Sequence, residues 1–269
     1  MRRFYLIAIL SSIVFQPVVS QVNRDSLLLI WENPDLHDTV RYQAFHKFIS
    51  RSFMPKYPDS ILYYGKIYHD SAVAWESIRY QGNSLYIMAQ GNMYKGDYPK
   101  ANEQITRAIE LFESIDRMYN GGFLLYNHGL IQYMMGNVAN GHKIMDAAIE
   151  NGLTYNKKDM AAECAIMKGR AYTMVGDKIA ALEEIEFALE ILKEIEYKDG
   201  IANAYISLGD LYLDLGEHQK ALGYFDRSEK LYLEIDKKKY AEAATTRKGI
   251  ALLKLKRYDE ALPLPANHR

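Results

Sequence analysis

Apolar positions between 202 and 235 follow the spacing of two α-helices. In the first part, large residues recur three and four positions apart, as one helical face requires, at Tyr205, Leu208 and Tyr212. Gly216 can adopt the left-handed conformation that ends a helix. A second apolar face begins near His218 and consists of Ala221, Phe225 and Ser228. The stretch predicts a helix pair in which Gly209 and Ala221 face each other and Phe225 fills the space beside them.

The same pattern recurs about every 40 residues, an interval within the range of helical-repeat architectures. At that interval, the column of Gly209 holds Ala89, Gly129, Gly169 and Gly249. The column of Gly216 holds Gly96, Gly136, Gly176 and Lys256, and that of Ala221 holds Ala101, Gly141, Ala181 and Ala261. The column of Ser228 holds Ala108, Ala148 and Ala188. Such columns without insertions are typical of a solenoid, in which each unit buries its apolar face on its neighbours.

These columns resemble the tetratricopeptide repeat family, whose pattern is a large residue, Leu-Gly, Tyr, Gly-Asp-Tyr, then Ala, an aromatic residue and Ala. The positions that match are Tyr205, Leu208, Gly209, Tyr212, Gly216, Ala221, Phe225 and Ser228, and a second set is Gly96, Asp97, Tyr98, Ala101 and Ala108. The resemblance covers roughly residues 40–262. It implies an all-α fold, a right-handed superhelical solenoid of antiparallel helix pairs that serves as a binding scaffold. Because the family's usual repeat is about 34 residues, this chain is similar to the longer-repeat variant of exported bacterial sensors and adaptors, with helices longer by about a turn.

The pattern predicts a leading helix and linker over residues 21–37, and about five repeats with an incomplete sixth over residues 38–269. The leading helix is expected at 23–32, capped near Asp25 and ended before Pro34. The first helices of repeats one to five are expected near 38–52, 78–94, 119–135, 158–175 and 198–215. The second helices are expected from about 58, and near 98–115, 138–153, 178–195 and 218–235.

Three polar residues that follow the turn glycines, Asp97, Asn137 and Asp177, are predicted N-caps, and Glu217 is a weaker one. Repeat one is the least typical, because Ile49 and Ile61 replace its small residues. Repeat six stops early, since Pro263 and Pro265 cannot continue a helix interior. We therefore expect the chain to be the front part of a longer protein or a truncated product.

Residues 1–20 predict a secretory signal peptide. Arg2 and Arg3 form its basic start, and the apolar run 4–15 is too short to span a bilayer comfortably. Small residues near Ser20 predict cleavage between Ser20 and Gln21. An uncleaved N-terminal anchor is the alternative. The cleaved chain is expected outside the cytoplasm, in the periplasm, without a membrane span.

Composition narrows the possible partners. With 33 basic and 34 acidic residues, the chain has no electrostatic footprint for nucleic acid. Cys164 is the only cysteine, which excludes an intrachain disulfide and a multi-cysteine metal site. The 22 tyrosines fit core packing, and an aromatic binding surface is the alternative. The methionines clustered between 118 and 174 leave the same choice between core filling and a groove for an apolar peptide.

No catalytic spacing occurs in the sequence. It contains no phosphate-binding glycine loop, no HExxH and no GxSxG, and its seven histidines are scattered. Cys164 fits a small buried filler on an alanine-rich helix face. We therefore expect a protein that is not an enzyme and that takes no cofactor or metal.

Binding is expected on the concave face, which in the proteins this chain resembles is lined by the first helix of each repeat. The candidate residues occupy the same few columns around the glycine column in successive repeats. They are Gln43, His46, Lys47 and Ser50; Asn83, Tyr86 and Gln90; Tyr126 and Asn127; Glu163 and Arg170; and Asn203, Ser207 and Asp210. This mixture of amides, rings and a few charges suits an extended peptide. A plain solvated groove is the alternative.

The function predicted from the sequence is an exported module that binds a protein or peptide. It would act as a scaffold or as the sensory input of a signalling protein, with a membrane-linked signalling partner or a further C-terminal domain expected. A structural adaptor in envelope assembly is the second hypothesis. An enzyme is the third and weakest, since it would need titratable groups converging in one pocket.

Overall fold

The computed structural model describes residues 18–115 and 121–261, and these form helices joined by short turns, with no strand among them. In chain order the helices are α1 Val18–Glu32, α2 Asp38–Phe53, α3 Pro58–Ala74, α4 Ile78–Lys95, α5 Tyr98–Glu113, α6 Gly121–Met134, α7 Val138–Thr154, α8 Lys158–Val175, α9 Lys178–Glu194, α10 Lys198–Asp214, α11 His218–Glu234, α12 Lys238–Lys254 and α13 Tyr258–Ala261.

Consecutive helices pair from α2 onward, so that α2–α3, α4–α5, α6–α7, α8–α9 and α10–α11 form five repeats and α12–α13 begins a sixth. The second helices start at an unvarying interval, at positions 58, 98, 138, 178, 218 and 258. The predicted all-α solenoid of antiparallel helix pairs is confirmed. No described helix is long and apolar enough to cross a membrane.

Left-handed residues recur at regular positions along the chain and end the helices. The predicted glycines occupy the turn inside repeats two to five: Gly96, Gly136, Gly176 and Gly216. The turns between repeats use other residues with positive φ: Glu76, Asn156, Glu196 and Asp236. In each turn the amide after the left-handed residue bonds the carbonyl five residues earlier, as Glu217 N does with Tyr212 O at 2.9 Å. Both kinds of turn are therefore the same helix-ending motif.

Two of the three predicted N-caps are confirmed. Asp97 accepts a hydrogen bond from the amide of Lys100 at 3.3 Å, and Asp177 accepts one from the amide of Ala180 at 3.1 Å. The prediction for Asn137 is wrong. It makes no side-chain cap, and its Nδ2 instead donates to Gln132 Oε1 at 3.1 Å.

The space beside Gly209 is filled by Phe225, as predicted. A Cβ built on Gly209 would lie 2.3 Å from the ring of Phe225, so the glycine faces that ring directly. Gly169 faces Ile185 in the same way, and Gly129 faces Met145. In repeats three to five, the large residue of the second helix occupies the space that a side chain on the glycine would need. Ala221 is fully buried in the same core.

Aromatic residues hold α1 against the first repeat. Trp31 stacks on Phe45 with ring centroids 4.3 Å apart, and Tyr42 stacks on Tyr80 at 4.1 Å. The guanidinium of Arg41 lies 4.7 Å from the ring centroid of Trp75. Packing against this cluster replaces the missing neighbour at the start of the solenoid.

Helix α1 begins earlier than the sequence predicts. It starts at Val18, not near Asn23, so Asp25 lies inside the helix and does not cap it. It ends at Glu32, ahead of Pro34, as predicted. Residues 1–17 of the predicted signal peptide and the prolines after Ala261 lie outside the described residues.

Candidate inner-surface binding site

The first helices of successive repeats form the inner layer of the solenoid. Helix α8 contacts both α6 and α10, and α4 contacts α6, whereas the second helices of neighbouring repeats make no comparable contact among the described residues. The first helices are therefore closer together, and the surface that they share is the inner one. We call it the inner surface. The predicted site residues of repeats two to five lie on its helices, and those of repeat one lie on α2.

At the N-terminal end, the predicted site is open and loosely connected. Gln43 and Lys47 are exposed, and their side chains make no hydrogen bond or ion pair with another described residue. His46 is half-buried, and burial lowers its pKa. The hydroxyl of Ser50 bonds within its own helix, because it donates to the carbonyl of His46 at 2.9 Å. Repeat one thus offers separate polar groups without a shared network.

Tyr86 joins repeats two and three. Its hydroxyl accepts hydrogen bonds from Gln90 Nε2 at 3.1 Å and from Asn127 Nδ2, in the next inner helix, at 3.0 Å. Asn127 also donates to the carbonyl of Phe123 at 2.8 Å. Asn83 on the same helix hydrogen-bonds Tyr68 of the first repeat. The predicted amides and rings of these repeats are therefore brought together.

Arg170 joins repeats four and five. Its Nη2 donates to Asn203 Oδ1 at 2.6 Å, and its Nε donates to Ser207 Oγ at 2.9 Å. Asn203 in turn donates to Glu163 Oε2 at 3.1 Å. All four of these residues are predicted site residues, and they form one network across α8 and α10. An amide between a carboxylate and a guanidinium satisfies both charges without a direct ion pair.

Asp210 joins repeats five and six. Both of its carboxylate oxygens accept from Arg247 Nε, at 3.1 and 3.2 Å. The sequence reasoning missed Arg247, although it lies two residues before Gly249, in the column of Asn127 and Ser207. Reading the same column into the sixth repeat would have found it.

Burial shifts the titration of the inner-surface groups. The pKa of Tyr126 is raised to about 12, chiefly by burial and to a smaller extent by the Glu163 carboxylate. Burial also raises the pKa of Tyr86, with smaller effects from Tyr94 and Tyr126. Burial raises the pKa of Glu163, and the nearby Arg170 opposes this rise. Burial likewise raises the pKa of Asp210, and Arg247 opposes it. Both carboxylates therefore remain only partly solvated beside their guanidinium neighbours.

The sequence reasoning also missed exposed apolar residues on this surface. Tyr94, Phe123, Met134 and Met174 are 40%, 59%, 54% and 87% exposed. Core packing was the favoured role for the methionines, and it is confirmed for Met145 and Met160, which are buried. It is wrong for Met134 and Met174. The signal was present in the repeat register, since Tyr94, Met134 and Met174 occupy one column of successive repeats.

No group of three or more His, Cys, Asp and Glu side chains in the described ranges is arranged to hold a metal ion. Cys164 is fully buried, and burial raises the pKa of its thiol to about 12. A thiol with so little thiolate is a poor nucleophile, which agrees with its predicted role as a filler.

Comparison with known proteins identifies the repeat. Residues 163–234 match the model of the tetratricopeptide repeat family. Among curated proteins, no sequence matches the chain.

Solved structures share the fold at low sequence identity. A Rap protein complexed with competence and sporulation factor aligns with a TM-score of 0.66 and 16% identity, over 91% of this chain and 73% of that one. The TPR-like repeats of a kinesin light chain from Podosopora anserina align at 0.61 and 12%, over 75% and 99%. NprR in complex with its cognate peptide NprX aligns at 0.51 and 15%, over 93% and 66%. These similarities establish a common architecture.

Proposed function

We propose that this chain, a tetratricopeptide-repeat protein, is an exported module whose inner surface binds an extended peptide or protein segment. In this proposal it serves as a scaffold or as the sensory input of a signalling protein. The observation that carries the binding role is the series of polar contacts between neighbouring inner helices. They join Asn127 to Tyr86, Asn203 to Glu163 and Arg170, and Arg247 to Asp210.

Amide and guanidinium groups suit an extended main chain, which presents alternating donors and acceptors. Asn127, Asn203 and Arg170 are held in place by contacts to the next repeat, so they lose little conformational freedom when a ligand binds. Two of the structural neighbours support the same reading by analogy. NprR is described in complex with a peptide, and the Rap protein in complex with a sporulation factor.

Selection from a displayed library of random nonapeptides on the full chain tests the binding role. We expect enriched peptides to lose at least tenfold in affinity for Arg170→Ala and to keep their affinity for Arg227→Ala. Arg227 is an exposed arginine on α11, a second helix, and its replacement changes the net charge equally. Equal loss in both variants, or no loss in either, would refute an inner-surface site.

Export rests on residues 1–20, with two arginines, a short apolar run and small residues before Gln21. We expect the protein purified from its host to begin at Gln21, as measured by N-terminal sequencing. An intact Met1 on a membrane-bound form would contradict this part of the proposal.

A further inference from the structure

An apolar stripe follows the inner surface across three repeats. Tyr94, Met134 and Met174 occupy one column, five positions after Ala89, Gly129 and Gly169. They are 40%, 54% and 87% exposed. Each lies about three helical turns after the site column of Asn83 and Glu163, so it lies on the same face of its helix. Exposed side chains of this size in three consecutive repeats indicate a contact surface.

Tyr94 lies on the same face of α4 as a predicted amide residue. It comes four positions, about one helical turn, after Gln90. The stripe is thus continuous with the hydrogen-bonding groups of Gln90 and Asn127, which bond Tyr86. A ligand lying on this face would meet apolar side chains and amide groups side by side.

Both ends of the stripe are defined. In repeat one the column holds Met54, which packs against the aromatic cluster of the first repeat and is half-buried. In repeat five it holds Asp214, which is paired with Lys178 at 2.9 Å, and in repeat six it holds Lys254. The exposed apolar part therefore spans the inner helices α4, α6 and α8.

The spacing of these helices fixes the spacing of the ligand. Helix α6 contacts both α4 and α8, and packed helices lie about 8–10 Å apart. An extended peptide in the polyproline II conformation advances about 3.1 Å per residue with three residues per turn, so every third side chain points to the same side. Three residues of such a peptide therefore cover about the distance from one helix of the stripe to the next.

We infer that the ligand is an extended peptide in the polyproline II conformation, with apolar side chains at every third position that contact Tyr94, Met134 and Met174 in turn. This inference rests on the proposed function. A helical ligand would present its apolar side chains with a rise of about 1.5 Å per residue, and three successive contacts would then need about 13 residues. The extended form makes the same contacts with seven residues, and it leaves main-chain groups free for the amides of the inner surface.

The nonapeptide selection on the full chain also tests this inference. We expect enriched sequences to carry apolar residues at positions i, i+3 and i+6. Their affinity is expected to fall at least tenfold for Met134→Glu combined with Met174→Glu. Leu233→Glu is the matched control, because Leu233 lies on the second helix α11 and is 54% exposed, the same fraction as Met134. That variant is expected to bind as the wild type does.

The outcomes separate this inference from the function on which it rests. The inference would be overturned, and the inner-surface site kept, by peptides whose affinity depends on Arg170 but whose apolar residues do not recur at every third position. Peptides that depend on Arg170 and bind the Met134→Glu, Met174→Glu variant with unchanged affinity would have the same meaning. Peptides that depend on neither Arg170 nor the methionines, or a selection with no enrichment, would overturn both. Circular dichroism of each variant establishes that the helices are retained.

Discussion

Glycine has opposite roles at Gly216 and Gly223, seven residues apart in the same repeat. Gly216 ends α10 with a φ of 75°, which strains any residue with a Cβ. Gly223 lies inside α11 and is exposed, and a Cβ there would meet nothing within 4 Å. The two positions differ only in backbone conformation, because Gly216 also has open space around it.

Gly216→Ala is therefore expected to destabilise the chain by about 1–2 kcal/mol, and Gly223→Ala to stabilise it by about 1 kcal/mol. Urea denaturation followed by circular dichroism measures both. If the two variants changed the free energy of unfolding in the same direction, the left-handed turn at Gly216 would not be what separates the two glycines.

Glu163 should add a pH dependence to stability. Its pKa is raised above the ordinary 4.5, chiefly by burial, with Arg170 and Asn203 acting against the rise. The folded state then binds more protons than the unfolded state at pH values just above 4.5, so this group's contribution to stability falls as pH rises through that window.

We expect the free energy of unfolding of the wild type, relative to Glu163→Gln, to decrease between about pH 4.5 and pH 7. Glutamine keeps an oxygen for Asn203, which makes it a conservative replacement. A difference that is the same at both pH values would show that Glu163 titrates normally.

At the scale of the helix pair, size complementarity holds the repeat together. The ring of Phe225 lies where a side chain at Gly209 would be. Ile185 lies against Gly169 in the same way in the previous repeat. This pairing gives the glycine column a partner column of large residues, 16 positions later. The two columns should therefore be energetically coupled.

Gly209→Ala is expected to cost about 1–3 kcal/mol, the range for overpacking a filled core. The same change in a Phe225→Leu background should cost less, because the smaller side chain leaves room for the new methyl group. A double-mutant cycle measured by urea denaturation reports this coupling. Additive effects would mean that the two residues do not compete for space.

Much of the helical arrangement was predictable from the constant repeat period. One well-formed unit, at 202–235, gives the register for all the others, and the helix bounds agree to within a few residues. The turn at Glu196 was not predictable as left-handed, because glutamate rarely adopts that conformation.

The inner-surface residues were predictable by column, but their contacts were not. Sequence places Arg170 and Asn203 on the same face, yet the bond between them depends on how far one repeat is shifted along the next. Exposure, by contrast, follows the repeat column. Met145 shares a column with the buried Ile185 and is itself fully buried, whereas Met174 lies in another column and is 87% exposed.

At the scale of the whole molecule, stability should be distributed along the solenoid. Each repeat contacts its neighbours, so local damage is expected to spread to adjacent units before distant ones. Both tryptophans, Trp31 and Trp75, lie in the aromatic cluster of the first repeat. Tryptophan fluorescence therefore reports on the N-terminal end alone, while circular dichroism reports on all helices.

Ala221→Leu inserts a larger side chain into the fully buried core of repeat five. We expect it to lower the midpoint of urea unfolding by circular dichroism more than the midpoint by tryptophan fluorescence. Lys220→Leu, at the adjacent exposed position, should change the free energy of unfolding by no more than about 0.5 kcal/mol and leave both midpoints close to those of the wild type. Coincident transitions in Ala221→Leu would mean that the chain unfolds as one cooperative unit.

The central claim is that the first helices form a surface for an extended peptide. Hydrogen exchange of the full chain, with and without a nonapeptide obtained by the selection, tests it most directly. We predict that the peptide slows exchange in α4, α6, α8 and α10 and leaves α5, α7, α9 and α11 unchanged. Slowed exchange confined to those second helices would contradict the claim.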